Sequence, residues 1–306
     1  MQISFVVPIF NEEGNVAKLH EEILKVARGL KQTFEIIFVD DGSRDRTPQI
    51  LKTLKPLRVL TLRQNAGQTA ALDAGFKAAR GELIVSLDGD LQNDPANVPA
   101  MLEHLSKNQL DVVCGWRQKR QDSAEKKFIS GGAKFLRELL IKDHVHDAGC
   151  TLRVYRKACF EGMSLRGELH RFIPALLVWR GFRIGELAVN HRPRTAGQSK
   201  YTLTRTIKGL MDMLTLWFFH KFASRPLHML GAMGIMSALV GMAIGSWMFV
   251  ERVFFADSIS NRIWPLVAVF LVLFGVQIFV SGLIMDLIIR TYNPKFYEIK
   301  DERENK

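Results

Sequence analysis

The sequence predicts an α/β domain with a mostly parallel sheet, followed by two membrane-spanning helices. Short apolar runs rich in β-branched residues alternate with helical patterns in the first part of the chain. Polar residues cluster directly after several of these runs, and two long segments near the C-terminal end lack charged residues. Strands separated by helices favour parallel pairing, and ligand sites in such sheets lie beyond the carboxyl ends of the strands.

The predicted strands and helices alternate in order. The predicted strands are 3–9, 34–40, 58–62, 82–88 and 111–116, and the helices between them cover about 12–30, 44–55, 67–80 and 97–108. Beyond this point the alternation fades, and segments 149–156 and 182–191 predict a mixed or antiparallel extension of the sheet. No GxGxxG follows the first strand and no GxxxxGK[ST] occurs, which argues against a dinucleotide-dependent dehydrogenase and a P-loop NTPase.

The charge balance favours anionic partners. The chain has 42 Lys and Arg against 31 Asp and Glu, a formal net charge of +11 over 306 residues. Because no nucleic-acid-binding motif or basic helix accompanies this charge, nucleic acid is not expected as a partner. A membrane surface or a phosphorylated substrate is favoured instead. The three cysteines lack metal-type spacing and are interpreted as reduced thiols.

Two apolar segments predict membrane spans over residues 226–250 and 263–289. Neither 226–250 nor 263–285 contains Asp, Glu, Lys or Arg. Each run reaches the roughly 20 residues that cross a hydrocarbon core. A buried helix of a soluble protein is the alternative, but two such runs separated only by residues 251–262 favour a transmembrane hairpin.

Basic residues predict the orientation of this hairpin. They lie before the first span and after the second: Arg205, Lys208, Lys221, Arg225, Arg290, Lys295, Lys300, Arg303 and Lys306. The linker holds only Arg252 and Arg262, beside two acidic residues. Since basic residues favour the cytoplasmic side, both termini are expected in the cytoplasm. This predicts a multi-pass protein of the inner (cytoplasmic) membrane.

The predicted organisation therefore has five parts. They are a cytoplasmic α/β domain over 1–200, a juxtamembrane helix over 201–225, the two spans, and a cytoplasmic basic tail over 290–306. In the juxtamembrane segment apolar positions recur at helical spacing, which favours an amphipathic helix in the membrane interface. An ordinary packed helix is the alternative.

Carboxylates follow two of the predicted strands. Asp88 and Asp90 would repel each other unless a cation lay between them, and a hard divalent ion prefers such oxygen ligands. A simple polar turn is the alternative for Asp-Gly-Asp. Asp40 could hydrogen-bond a base or ribose, while Ser43 or Asp45 could cap a helix.

Four motifs carry a family resemblance: VVPIFNEE (6–13), VDDGSRDRT (39–47), NAGQTAALDAGFKAARGELIVSLDGDLQNDP (65–95) and DAGCTLRVYRK (147–157). They resemble family 2 glycosyltransferases of the GT-A fold. More narrowly, they resemble the polyprenyl-phosphate glycosyltransferases, which include dolichol-phosphate mannose synthase. The bacterial branch with two C-terminal spans is more similar; it is typified by undecaprenyl-phosphate aminoarabinose transferase and bactoprenol glucosyltransferase.

The resemblance implies roles for particular residues. On the donor side, Pro8, Asn11 and Glu13 border the nucleotide pocket, Asp40 contacts the base or ribose, Asp88 and Asp90 bind the metal, and Gln92 lies in the sugar or phosphate region. On the acceptor side, Asp147 is a base or acceptor-orienting group, and Arg171, Ser199 and Lys200 bind the acceptor phosphate. From their charge rather than from the resemblance, Arg192 and Arg194 would either assist the phosphate site or attract lipid head groups.

The expected activity is inverting transfer of a sugar from a nucleotide-sugar, with UDP favoured, to a polyprenyl phosphate, with undecaprenyl phosphate favoured. Mg2+ or Mn2+ is the expected cofactor. The alternatives are a GT-A transferase acting on another membrane acceptor, a glycolipid or polysaccharide, and a catalytically silent nucleotide-sugar-binding scaffold. The identity of the sugar and the occurrence of a homo-oligomer stay open.

Overall fold

The computed structural model describes residues 2–118, 145–190, 192, 226–255 and 263–292, with a few more at 211, 213–215, 217–218 and 221. The chain forms two compact units, Met1–Met213 and Leu214–Lys306.

The first unit is built around a sheet whose described strands run in the order β3-β2-β1-β4-β6-β5-β7. The strands are β1 (Ile3–Ile9), β2 (Phe34–Asp40), β3 (Arg58–Thr61), β4 (Leu83–Ser86), β5 (Val112–Trp116), β6 (Arg153–Arg156) and β7 (Ile184–Ala188). β1, β2, β3 and β4 pair in parallel, as predicted. β6 lies antiparallel between β4 and β5, and β7 is parallel to β5. The predicted mixed extension is thus confirmed.

Helices connect and cover these strands. They are α1 (Val16–Gly29), α2 (Thr47–Leu51), α3 (Gln68–Ala78), α4 (Val98–Lys107) and α5 (Ile173–Trp179), with 3-10 turns at Pro95–Asn97, Lys157–Phe160 and Leu169–Phe172. α1 and α2 begin later than predicted. The residues before them are engaged in hydrogen bonds between the β1–α1 and β2–α2 loops instead, for example from the backbone N–H of Asn11 to Oγ of Ser43 at 2.9 Å.

The alternation of side chains along the strands divides the core into two layers. Phe5 and Val7 of β1 pack in one buried cluster with residues of α1 and α4. Val6, on the opposite face, packs in a second cluster with residues of α3 and α5. Because both faces of the sheet are covered, its functional groups are confined to the strand ends and the loops that follow them.

The second unit contains two long apolar helices, α6 (Pro226–Phe255) and α7 (Trp264–Tyr292). Each is long and apolar enough to cross a membrane, and most of their large apolar side chains are exposed. Their backbones approach closely at glycines: a Cβ on Gly234 would lie 2.6 Å from the carbonyl oxygen of Gly275. Small residues at a helix contact are typical of helix pairs in membranes, where van der Waals packing drives association.

The predicted juxtamembrane helix and basic tail lie almost entirely outside the described residues. The prediction of an amphipathic interface helix over 201–225 therefore stays a prediction.

Candidate functional site

The loops after β1 and β2 form one wall of the candidate site, at the carboxyl edge of the sheet. Asn11 adopts a positive φ of 55°. Its backbone N–H donates to Oγ of Ser43 at 2.9 Å, and its side-chain oxygen accepts from the N–H of Arg44 at 2.8 Å. Glu13 accepts from the N–H of Arg46 at 3.0 Å. Both side chains thus bind the neighbouring loop and hold the wall together.

Asp40 and Asp41 end β2 and are almost fully buried. Asp40 accepts from the N–H of Ser43 at 3.0 Å. Asp41 accepts from the N–H groups of Ala66 and Gly67, at 2.7 and 2.9 Å. Asp40 therefore closes the turn directly after β2, and Asp41 fixes the loop that leads into α3.

Asp88 and Asp90 lie just beyond the end of β4. The turn between them packs against the end of β1, since a Cβ on Gly89 would lie 2.8 Å from Cδ1 of Ile9 and 3.2 Å from the carbonyl oxygen of Pro8. Asp90 is buried, and one of its oxygens accepts from the N–H of Gln92 at 3.2 Å. Pro8 of β1 thus lies beside the loop after β4, which carries the predicted residues Asp88, Asp90 and Gln92.

The Asp88 carboxyl resists ionisation. Burial, and then the negative charge of Asp90, raise the pKa of Asp88 to about 6, although Thr151, Arg117 and Arg153 act in the opposite direction. Nε2 of Gln68 also donates to Asp88 at 2.7 Å. Two neighbouring carboxylates of which one is difficult to ionise fit a bound cation, because a positive charge would stabilise both.

The described residues contain no group of three or more His, Cys, Asp or Glu side chains arranged to hold a metal ion. A magnesium ion often binds one or two carboxylates and completes its coordination with substrate phosphates and water. The pair of Asp88 and Asp90 fits that kind of site.

Asp147 lies in the loop before β6 and is bound to Arg117 at the end of β5. Nε and Nη2 of Arg117 donate to the two carboxylate oxygens at 2.6 and 2.9 Å. Both side chains are largely buried. Such a bidentate pair is strong and fixes the relative orientation of its members. The charge of Arg117 also acts on Asp88, so this pair belongs to the same site.

Glu186 of β7 holds the loop that carries Asp147. It accepts from the N–H of His146 at 2.9 Å and from Nδ1 of that ring at 2.6 Å. The His146 ring stacks on Trp116, with centroids 4.7 Å apart. Trp116 and Arg117 at the end of β5 therefore contact His146 and Asp147 of this loop, respectively.

The predicted acceptor-side residues are placed less completely. Arg171 lies in the turn Leu169–Phe172, partly exposed, with Nε 3.6 Å from a carboxylate oxygen of Glu168. Arg192 pairs with Glu22 at 2.7 Å and with Asp94 at 2.8 Å, so its charge is already balanced. Arg194, Ser199 and Lys200 lie outside the described residues.

The sequence reasoning did not single out Gln68, Arg117 or Glu186 as site residues. Gln68 lies within a motif that carried the resemblance, but nothing in the motif marks Asp88 as its partner. Arg117 directly follows a predicted strand, and this position at a strand end could have marked it as a candidate site residue. Glu186 reaches the site only because β7 pairs with β5.

Comparison with known proteins identifies the enzyme class to which the fold and the carboxylate pair belong. Residues 4–163 match the family model for glycosyl transferase family 2. The chain therefore belongs to glycosyl transferase family 2 and is a glycosyltransferase, as its motifs predicted.

Two curated relatives match almost the whole chain. The dodecaprenyl-phosphate galacturonate synthase of Rhizobium johnstonii is 38% identical over 300 residues, covering 95% of this chain and 89% of the relative. The undecaprenyl-phosphate 4-deoxy-4-formamido-L-arabinose transferase of Pseudomonas paraeruginosa is 33% identical over 306 residues, covering 96% of this chain and 88% of the relative.

A solved structure confirms the expected GT-A fold. The glucosyl-3-phosphoglycerate synthase of Mycobacterium tuberculosis, crystallised with Mn2+, UDP and glucosyl-3-phosphoglycerate, matches with a TM-score of 0.56. The match covers 71% of this chain and 79% of that chain at 19% identity.

We expect Asp88→Asn to stabilise the metal-free protein at pH 8. The raised pKa of Asp88 means that ionisation opposes folding; allowing for partial exposure, the amide should add roughly 1–2 kcal/mol. Since the carboxyl is protonated in the folded state near pH 4, the gain should shrink there. Thermal unfolding in detergent with chelator, at both pH values, measures this.

The matched control is Glu82→Gln, which neutralises an exposed carboxylate just before β4. It should leave the unfolding temperature unchanged at both pH values. A metal-free Asp88→Asn protein that unfolds at a lower temperature than wild type at pH 8 would contradict the electrostatic description of the pair.

Proposed function

We propose that this enzyme transfers a sugar from a nucleotide-sugar, preferentially UDP-linked, to a polyprenyl phosphate such as undecaprenyl phosphate. The observation that carries the proposal is the carboxylate pair Asp88 and Asp90 at the carboxyl edge of a glycosyltransferase sheet, in a chain that also holds two long apolar helices. The two relatives, named for sugar transfer involving polyprenyl phosphates, support the acceptor class.

On the donor side, Asp88 and Asp90 would hold Mg2+ or Mn2+. When bound, the ion would neutralise the charge that grows on the departing nucleoside diphosphate. Asp40 would orient the base or ribose, and Pro8 and Gln92 would border the nucleotide and the sugar. Asn11 and Glu13 contribute by holding the two loops of the pocket wall together.

On the acceptor side, the nucleophile is the phosphate of the lipid, which is itself negatively charged. A phosphomonoester has a second pKa near 6 and is largely dianionic at pH 7, so it needs no strong general base. Since Arg117 occupies both oxygens of Asp147, we assign Asp147 the acceptor-orienting role rather than that of a base.

Positive side chains would hold the acceptor phosphate. We propose Arg171, Lys200, Ser199 and Arg194 for this role. Arg192 is better suited to bracing the loop after Asp90, because its guanidinium is paired with Glu22 and Asp94 and its N–H donates to the carbonyl of Gln92 at 2.9 Å.

The proposed reaction is a single displacement. An oxygen of the acceptor phosphate forms a bond to the anomeric carbon as the bond from that carbon to the diphosphate oxygen breaks. Direct attack from the opposite face inverts the anomeric configuration. Holding both reactants at one sheet edge would supply much of the acceleration, because it replaces an encounter in solution with a positioned one.

The activity proposal is tested with Asp90→Asn. Purified enzyme in detergent, supplied with undecaprenyl phosphate, Mg2+ and a panel of nucleotide-sugars, should form a glycolipid identified by mass. Asp90→Asn should lose at least about 100-fold in rate, since the amide lacks the charge that binds the ion. Glu82→Gln should retain wild-type activity. Full wild-type activity in excess chelator would remove the metal from the proposal.

The donor and acceptor ends should respond separately to mutation. Arg171→Ala and Lys200→Ala should each weaken use of the lipid roughly tenfold to a hundredfold, as expected for a lost charge-assisted contact, with nucleotide affinity unchanged. Asp40→Ala should weaken nucleotide affinity and spare the KM for lipid. Steady-state kinetics with a short-chain polyprenyl phosphate in detergent, beside calorimetry with nucleotide, measures both.

The control for these variants is Arg166→Ala, which removes an exposed arginine near Arg171. If Arg171 and Lys200 serve only to attract an anionic membrane surface, their variants should behave like wild type in detergent with the short-chain acceptor. That result would remove them from the acceptor site.

We also propose that α6 and α7 span the inner membrane, with the catalytic unit and both termini in the cytoplasm. The basic residues that flank the apolar segments support this orientation. Cysteine labelling of intact cells should modify residues introduced within 256–262 and spare residues introduced near either terminus. Labelling of the termini from outside would overturn the orientation.

A further inference from the structure

Arg153 of β6 connects two separate segments of the candidate site. Its side chain is 2% exposed and is among the largest fully buried ones. Nη2 donates to the carbonyl oxygen of Ala148 at 2.6 Å, and Nη1 donates to that of His170 at 3.1 Å. Ala148 directly follows Asp147, and His170 directly precedes Arg171. One planar group therefore connects the two segments that carry the proposed acceptor-side residues.

The position of Arg153 follows from the register of the sheet. Arg153 lies opposite Ser86 of β4, so its side chain is on the same face as Ser86. It extends from there toward the carboxyl edge, where Asp88 lies two residues beyond Ser86. A guanidinium always carries its charge in a protein, and its rigid fork can bind two acceptors in a fixed relative position.

Filling this buried space with an arginine side chain is unfavourable in free energy. Burying a charge costs free energy unless it is well paired, and apolar side chains of similar volume often serve stability better. Within the described part of the chain, Nε of Arg153 is buried and has no hydrogen-bond partner. Packing alone therefore does not account for an arginine here, whereas a need to fix two carbonyl groups does.

A second contact holds His170 from the other side. Nδ1 of its buried ring and Oγ1 of Thr69 are 2.7 Å apart. Gln68, the residue before Thr69, donates to Asp88 at 2.7 Å. The first turn of α3 thus contacts both Asp88 and the segment that carries Arg171, and in this way it links the proposed donor and acceptor sides.

We propose that Arg153 is a positioning residue that sets the distance between the Asp147 loop and the Arg171 turn, and hence the placement of the acceptor phosphate relative to the donor sugar. The consequence for phosphate placement rests on the proposed function. The link between the two segments does not, because it follows from the hydrogen bonds of Arg153 alone.

The test compares Arg153→Lys with Arg156→Lys. Lysine keeps the charge but has a single ammonium group, which cannot bind both carbonyls in the same arrangement. Arg156 lies on the same strand, is half exposed and donates to the carbonyl of Leu110 at 3.1 Å. It provides the same chemical change on the opposite face, away from the site. Thr69→Val removes the second contact to His170 without touching the buried charge.

The first measurement is amide hydrogen exchange in detergent. Arg153→Lys should speed exchange in both segments, 145–150 and 168–173, by roughly tenfold or more, as expected when a buried charged contact is lost. Thr69→Val should speed exchange in 168–173 alone, and Arg156→Lys in neither. Exchange in Arg153→Lys that rises in only one segment, or in none, would overturn the link.

The second measurement is kinetic. Arg153→Lys should lower kcat with the lipid acceptor roughly tenfold to a hundredfold, as small misplacements of reacting groups do, with nucleotide affinity within about twofold of wild type. Thr69→Val should show a smaller loss in the same direction. Faster exchange in both segments with wild-type kinetics would overturn the positioning role.

These two measurements separate the inference from the proposed function. A wild-type enzyme that forms no glycolipid from polyprenyl phosphate would overturn the proposed function, while the exchange data would still decide whether Arg153 joins the two segments.

Discussion

The site depends on the parallel pairing of β1 with its two neighbours. Because β2 and β4 both run parallel to β1, the loops after all three strands leave the sheet at the same edge. Groups far apart in sequence, from Pro8 to Gln92, become neighbours there. The covered faces of the sheet supply the rigidity, and the unpaired strand ends supply the polar groups that a charged substrate requires.

Several carboxylates are buried at this edge of the sheet, and their surroundings differ. Asp40, Asp41 and Asp147 each accept hydrogen bonds from backbone N–H groups, or from Arg117 in the case of Asp147. These acids shape loops. At Asp88, burial and then the negative charge of Asp90 raise the pKa of the carboxyl. A cation would stabilise this pair of carboxylates, as expected of a binding site.

The antiparallel strand β6 also contributes to the candidate site at the carboxyl edge of the parallel strands. β6 enters between β4 and β5 in the opposite direction, so the loop before it begins at the carboxyl edge. That loop brings Asp147 to Arg117, and the strand itself places Arg153 in contact with both segments that carry the proposed acceptor-side residues. A parallel strand at this place would have entered from the opposite edge and could not have supplied either contact in this way.

The sequence by itself determined the alternation of strands and helices, the two apolar helices and the acidic motifs, because these depend on local periodicity and composition. Even β6 was expected, from segment 149–156. Helix starts were less predictable: the residues before α1 and α2 form contacts between loops, as Asn11 does with Ser43, and no local pattern encodes a partner so distant. Only the tertiary structure decided that Arg117 binds Asp147, that Arg192 is paired with carboxylates, and that Arg153 joins two segments. Those contacts follow from strand order and register, which bring residues from separate parts of the chain together.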